Sequence, residues 1–159
     1  MKPKNGGRDL DGILRGVEEG AIKGLVVLAV GHKFPEDIRG RIAAALKKVQ
    51  YGLLIDCMRT EMSDCADLVL AKLAYAETHG TYTNSAGRIQ RLMPTIPQKG
   101  EAKPGWEILR DLLIKMGPAV KYPSAFAVTK EIFDKVYKGL EPKDLGPQGV
   151  LPSAGGAAS

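Results

Sequence analysis

GLVVLAVG at residues 24–31 and YGLLID at residues 51–56 are two short, continuous runs of β-favouring apolar residues, separated by PEDIRGRIAAALKK at residues 35–48. Runs of this length bounded by glycine read as parallel strands covered on both faces. In the intervening stretch Pro35 suits a helix first turn, and Glu36 and Asp37 suit the positive end of its dipole. Ile38, Ile42, Leu46 and Val49 recur on one face. Strand, helix, strand in this order predicts a right-handed crossover of the Rossmann kind. The fold class expected is therefore α/β, a Rossmann-like parallel sheet with flanking helices.

Outward from that unit, Leu10, Ile13, Leu14 and Val17 recur at helical spacing behind Asp9, a suitable N-cap, with Gly20 placed to close the helix. A short helix from about Thr60 leads into a third strand over residues 67–70. Residues 93–104 read as loop. A helix runs from Trp106 through Leu109, Leu112, Leu113 and Met116 until Gly117 and Pro118. A last helix spans about Ser124 to Lys138, with Val128, Ile132 and Val136 inward. Domain boundaries follow: 1–8 as a flexible N-terminus, 9–140 as the α/β domain with an irregular hairpin insertion and a C-terminal helical pair, and 141–159 as a Pro/Gly-rich tail. That tail is expected to dock up to about Leu151, while residues 153–159 favour disorder.

At 159 residues, with 44% hydrophobic and 26% charged residues, the composition is that of a globular domain. The longest apolar run is too short to cross a bilayer, and no secretory leader is visible, so a cytoplasmic location is expected. The net charge of +5 is spread along the chain among acidic residues, which argues against nucleic acid and for a basic face that meets an acidic partner subunit. Cys57 and Cys65 read as free thiols. Two cysteines, with His32 and His79 outside any ligand spacing, predict no metal or iron–sulfur site in this chain alone.

The chemistry-bearing candidates lie in two places. Gly31 and His32 fall between the carboxyl end of a strand and a helix start, where open α/β sheets bind nucleotide-like ligands. No Gly-x-Gly-x-x-Gly accompanies them. Residues 77–90, ETHGTYTNSAGRIQ, read as strand, tight turn, strand. Gly80, Asn84 and Gly87 tolerate positive φ, Thr81 to Thr83 favour extended backbone, and Arg88 and Gln90 point the same way.

Four ordered blocks carry a resemblance: TEMSDCADLVL at 60–70, AETHGTYTN at 76–84, GRIQ at 87–90 and WEIL at 106–109. With these the chain, over roughly residues 9–151, resembles the molybdopterin oxidoreductase superfamily. It is most similar to the molybdopterin-oxidoreductase-like region of the large iron–sulfur subunit of NADH-quinone oxidoreductase (respiratory complex I), and next to the catalytic subunit of formate dehydrogenase. The pattern is not intact. His32, Lys33 and Phe34 replace the family's Gly-x-Asn-Pro type loop, Ala71 stands where proline is common, and Ala86 where an acid is common.

The resemblance implies a non-catalytic structural or accessory part of a NADH-quinone oxidoreductase-type electron-transfer complex. Other subunits of that complex would be its partners, and association with the cytoplasmic face of a membrane would come through them. On this reading Glu77 and Arg88 form an ion pair that braces the hairpin, Trp106 anchors its helix to the core, and no residue is catalytic. The alternative it allows is part of a molybdopterin dinucleotide site in a split formate dehydrogenase-like enzyme, with Gly31, His32, Gly80, Thr81, Asn84, Arg88 and Gln90 against the cofactor. A free-standing nucleotide- or protein-binding module is a third possibility.

Overall fold

Asp9 begins the first regular element: its carboxylate Oδ1 accepts a hydrogen bond from Gly12 N (3.0 Å), which satisfies an orphan donor of helix α1, Leu10–Glu18. In this computed structural model, which describes residues 7–29, 34–98, 100–117, 119–137 and 139–152, the chain then alternates strand and helix. Strand β1 is Gly24–Leu28, helix α2 Glu36–Lys48, strand β2 Tyr51–Asp56 and strand β3 Leu68–Ala71. The three strands form a parallel sheet in the order β1-β2-β3, with Val27 opposite Leu54 and Leu54 opposite Val69. The α/β expectation is met.

Residues 1–72 and 73–159 are two separately packed units. In the first, Leu25 and Val27 of β1 and the fully buried Leu54 of β2 meet Ile42, Ala43 and Leu46 of α2, together with Met62. Leu14 and Val17 of α1 pack on Ala45 beside them. Each such side chain contributes about 1.5–3 kcal/mol on leaving water. Successive strand residues face opposite ways, and Val26 and Leu28 remain 50% and 44% exposed. The expected cover on both faces is therefore not formed by α1 and α2. The link from β2 to β3 supplies no helix either: Ser63 N bonds Thr60 O and Cys65 N bonds Met62 O, isolated turns in place of the short helix expected from Thr60.

The second unit is built around an antiparallel hairpin, β4 Gly80–Thr83 and β5 Ile89–Leu92, with Thr81 opposite Arg91 and Thr83 opposite Ile89. Helix α3, Gly105–Lys115, and helix α4, Ala125–Lys135, follow; Ser124 Oγ caps α4 by accepting from Ala127 N. The core is Ile89, Phe133 and Leu145, with Tyr137, Leu140 and Val150 around it. Phe133 and Thr129 are the buried positions of α4, whereas Ile132 and Val136 are 38% and 44% exposed. The inward face expected from Val128, Ile132 and Val136 is thus corrected, because Ile89 and Leu145, brought in from distant segments, select the bulkier Phe133.

The stretch at 141–152 is ordered against the hairpin. Val150 pairs with Ile89 through reciprocal backbone bonds, Ile89 N to Val150 O (2.8 Å) and Val150 N to Ile89 O (2.9 Å). Gly149 makes this possible: its φ is +72°, and a Cβ there would sit 2.2 Å from Ile89 O. The expectation for residues 153–159 lies outside the described residues. Among the described residues no helix is long and apolar enough to cross a membrane.

Candidate functional site

The hairpin holds most of the candidate residues, and local backbone geometry decides what each one does. Asn84 begins the turn. Its Oδ1 accepts from Ala86 N (3.0 Å) and Arg88 N (3.0 Å), and its own N–H bonds Arg88 O (3.0 Å). This is an Asx-type turn, in which the side chain replaces missing backbone acceptors. No non-glycine residue among those described has positive φ, so the left-handed position of the turn falls to Gly87 (φ +77°) and not to Asn84. The Asn84 amide also donates to Gln90 Oε1 at 3.5 Å.

The ion pair expected between Glu77 and Arg88 does not form. Glu77 Oε2 accepts from Ala74 N (2.9 Å), closing the single 3₁₀ turn Tyr75–Glu77. The Arg88 guanidinium donates to the carbonyls of Gly149 (3.4 Å) and Gln148 (3.5 Å). Each charged group has taken backbone partners instead, and the carboxylate caps a turn that would otherwise leave an N–H unbonded. Sequence reasoning missed Gln148 and Gly149 as the partners of Arg88, and also the hydrogen bond between Thr83 Oγ1 and Tyr137 OH (2.7 Å) that fastens β4 to the end of α4. No local signal marks contacts some 54 to 61 residues apart.

Trp106 sits in the first turn of α3, half-buried, with the Arg110 guanidinium 5.2 Å from its ring centroid. Arg110 also meets Asp111 (2.7 Å) and Glu107 (3.2 Å) and donates to Tyr122 O (3.2 Å), so the tryptophan is clasped by an ion network on its own helix. Bonding to Arg110 holds the Asp111 carboxyl below the usual aspartate range. Trp106 lies outside the three core clusters, and its indole Nε1 is buried without a hydrogen-bond partner.

Gly31 and His32 lie outside the described residues. The described part of the sheet's carboxyl end is the cleft of about 380 Å³ after β2 and β3, lined by Asp56, Cys57, Arg59, Ser63 and Asp64 among others. Asp56 is buried and its Oδ1 accepts from Cys57 N (2.7 Å); Arg59 is paired with Asp64 at 2.6 Å. The buried Thr60 Oγ1 has no partner. Both thiols are free and half-buried. No group of three or more His, Cys, Asp and Glu side chains among the described residues is arranged to hold a metal.

The sequence profile of the molybdopterin oxidoreductase family matches residues 35–115, half of the chain, from the start of α2 to the end of α3. The chain belongs to that family. It is 36% identical over 115 residues to the F420-dependent formate dehydrogenase 2 subunit alpha of Methanococcus maripaludis, an alignment covering 69% of this chain and 17% of that protein. It is 32% identical over 132 residues to the NADPH-Fe(3+) oxidoreductase subunit alpha of Geobacter sulfurreducens, 82% of this chain and 15% of that one. The assimilatory nitrate reductase catalytic subunit of Bacillus subtilis is 29% identical over 126 residues, 78% of this chain and 18% of the relative. The chain therefore spans less than a fifth of the length of these relatives, two of which are named as alpha subunits.

The family is named for a molybdopterin; a pterin carrying a diphosphate would call for unspent cations or backbone N–H groups. The described strand-end cleft holds the buried Asp56, whose Oδ1 accepts from Cys57 N, and an Arg59–Asp64 pair that is largely exposed (84% and 63%) and so of little strength. Arg59 is the one cation among the described residues that line it. In the hairpin, Asn84 Oδ1 is engaged by backbone N–H groups and Arg88 Nη1 by two long bonds to carbonyls, while Gly80 and Thr81 line a cleft that also holds Arg91 and Lys143.

Proposed function

We propose that this chain is a structural segment of the large subunit of a molybdopterin-type electron-transfer oxidoreductase, with no redox chemistry of its own. On this proposal the subunit is the large iron–sulfur subunit of NADH-quinone oxidoreductase, at the cytoplasmic face of the membrane, a reading supported by the motif resemblance over residues 60–109. One observation carries the reading: Glu77 Oε2 is spent on Ala74 N, Asn84 Oδ1 on two backbone N–H groups of the hairpin turn, and Arg88 Nη1 on the carbonyls of Gly149 and Gln148. These are turned inward on their own backbone.

A second reading is favoured by the names of the relatives, which include formate dehydrogenases and a nitrate reductase. In it the chain forms one wall of a pterin site that other polypeptide completes, with Gly31, His32, Gly80, Thr81 and Gln90 toward the cofactor. The two readings part on metal. Mild purification from the native host, mass spectrometry of the companions and assay of molybdenum, tungsten and iron decide between them. The expected result is NADH-quinone oxidoreductase subunits with neither molybdenum nor tungsten in step with this chain. Stoichiometric metal with a molybdopterin protein transfers the conclusion to the second reading, and recovery of the chain alone overturns both.

A further inference from the structure

Beside the hairpin, the second unit carries a cleft of about 370 Å³, lined in part by His79, Gly80 and Thr81 of the motif at 76–84. Its rim is basic. His79 and Arg91 lie together at the open end of the hairpin and Lys143 comes from the 3₁₀ turn Pro142–Asp144, and no aspartate or glutamate is among the described residues that line it. Arg91 is held in place by a hydrogen bond from Nη2 to Pro142 O (3.0 Å), which leaves the rest of its guanidinium fork unspent. Lys143 touches Glu141 at 2.8 Å, but both side chains are largely exposed (75% and 65%), a pairing of little strength. The walls are apolar, and two of them, Phe126 at 66% and Met93 at 56% exposure, stand open to solvent.

An exposed aromatic and an exposed methionine inside a rim of arginine and lysine form the composition of a protein-recognition patch. A small molecule would ask for enclosure of most of its surface, and here the principal apolar groups are more than half open. A nucleic-acid strand would ask for cations in a track; the positive residues that follow on α4 are interrupted by acids, with Glu131 bonded to Lys135. We infer that this cleft receives an apolar side chain carried on an acidic segment of a companion subunit, the apolar group resting on Phe126 and Met93 and its flanking carboxylates meeting Arg91, Lys143 and His79. Charge complementarity chooses the occupant. Such a surface serves an assembly of either kind, NADH-quinone oxidoreductase or formate dehydrogenase.

The test uses the full chain and a fluorescein-labelled hexapeptide, EDLFDE, followed by fluorescence anisotropy at low salt. Binding is expected to weaken about tenfold in Phe126→Ala and in the double variant Arg91→Glu, Lys143→Glu, and to fall as salt is raised. Lys47→Glu, an exposed position on α2, controls for net charge and is expected to leave binding unchanged. The peptide EDSSDE, with its apolar pair removed, is expected to bind at least tenfold more weakly. Circular dichroism establishes that each variant is folded, and amide shift changes in the unmodified chain, expected at residues 79–81, 91–93, 125–129 and 143, report the site with no substitution at all. Equal binding of the two peptides, an unchanged Phe126→Ala, or shifts elsewhere overturns the inference. So does tighter binding of phenyl phosphate or of a thymidine octamer at these residues, which assigns the cleft to a small anion or to a nucleic acid.

Discussion

The two units of this chain solve the same problem, fixing a sheet, by different means. In the first, β1 and β2 of the parallel sheet are pinned by apolar burial: Leu54 and Met62 are fully buried and Ile42, Ala43 and Leu46 nearly so. In the second, the buried cluster is three residues, and the hairpin is held as much by hydrogen bonds to the Asn84 side chain, the Arg88 guanidinium and the Val150 backbone. Burial is non-directional and tolerates repacking, whereas hydrogen bonds demand particular atoms at particular places. A short fixed motif such as residues 77–90 is what the second strategy leaves in a sequence; a periodic apolar pattern is what the first leaves.

The comparison breaks most visibly in the cores. Phe133→Ala should cost about 3–5 kcal/mol and Leu54→Ala about 2–5 kcal/mol in denaturant unfolding. Hydrogen exchange should quicken locally, at the Ile89–Val150 bridge for the first and across the β1–β2 ladder for the second. If Phe133→Ala left the bridge protected, polar bracing alone would hold the second unit and the contrast between the units would be sharper still.

Next in size is a pair of glycines with similar φ and different surroundings. Gly87→Ala meets open space and should cost about 1–2 kcal/mol for the left-handed backbone alone. Gly149→Ala adds a contact with Ile89 O and should cost more, with Val150 released from β5. Equal thermal shifts for the two would mean that the C-terminal strand yields at no cost.

Asn84→Ala removes two acceptor bonds at about 1 kcal/mol each, while Asn84→Asp, which retains Oδ1, should recover most of that stability. The smallest effect is electrostatic. Asp111 is held low by bonding to Arg110, with Lys103 adding to it, so its contribution is present above the unfolded aspartate pKa and lost as pH falls through the lower folded value. Carboxyl NMR titration should show Asp111 ionising at lower pH than an ordinary aspartate, and Arg110→Gln should move its midpoint upward. That variant also removes the cation over Trp106, so the fluorescence of the single tryptophan should change with it.

Legibility followed the same division. The helices over 10–18 and 36–48 and the strands at 24–28 and 51–56 could be read from periodicity and end signals, since each is specified by residues within one or two turns. The turn at 84–88 was legible in outline, but not the division of labour in which Gly87 takes the left-handed backbone and Asn84 the hydrogen bonds. Glu77 and Arg88 were misassigned to each other because opposite charges within one short motif suggest a pair, while backbone donors and acceptors take both. Arg91, Phe126 and Lys143 carry no signal at all, being brought to one cleft from three separate segments.

By itself, then, the sequence determined the α/β alternation, the hairpin and the family, because apolar period, turn chemistry and an ordered set of motifs are all local properties. Only the tertiary structure decided which face of α4 is buried, what Arg88 holds, and that Val150 extends the hairpin. Those outcomes depend on Ile89, Leu145 and Gly149 arriving from distant parts of the chain. Long-range closure selects among faces and partners that local chemistry leaves equally acceptable.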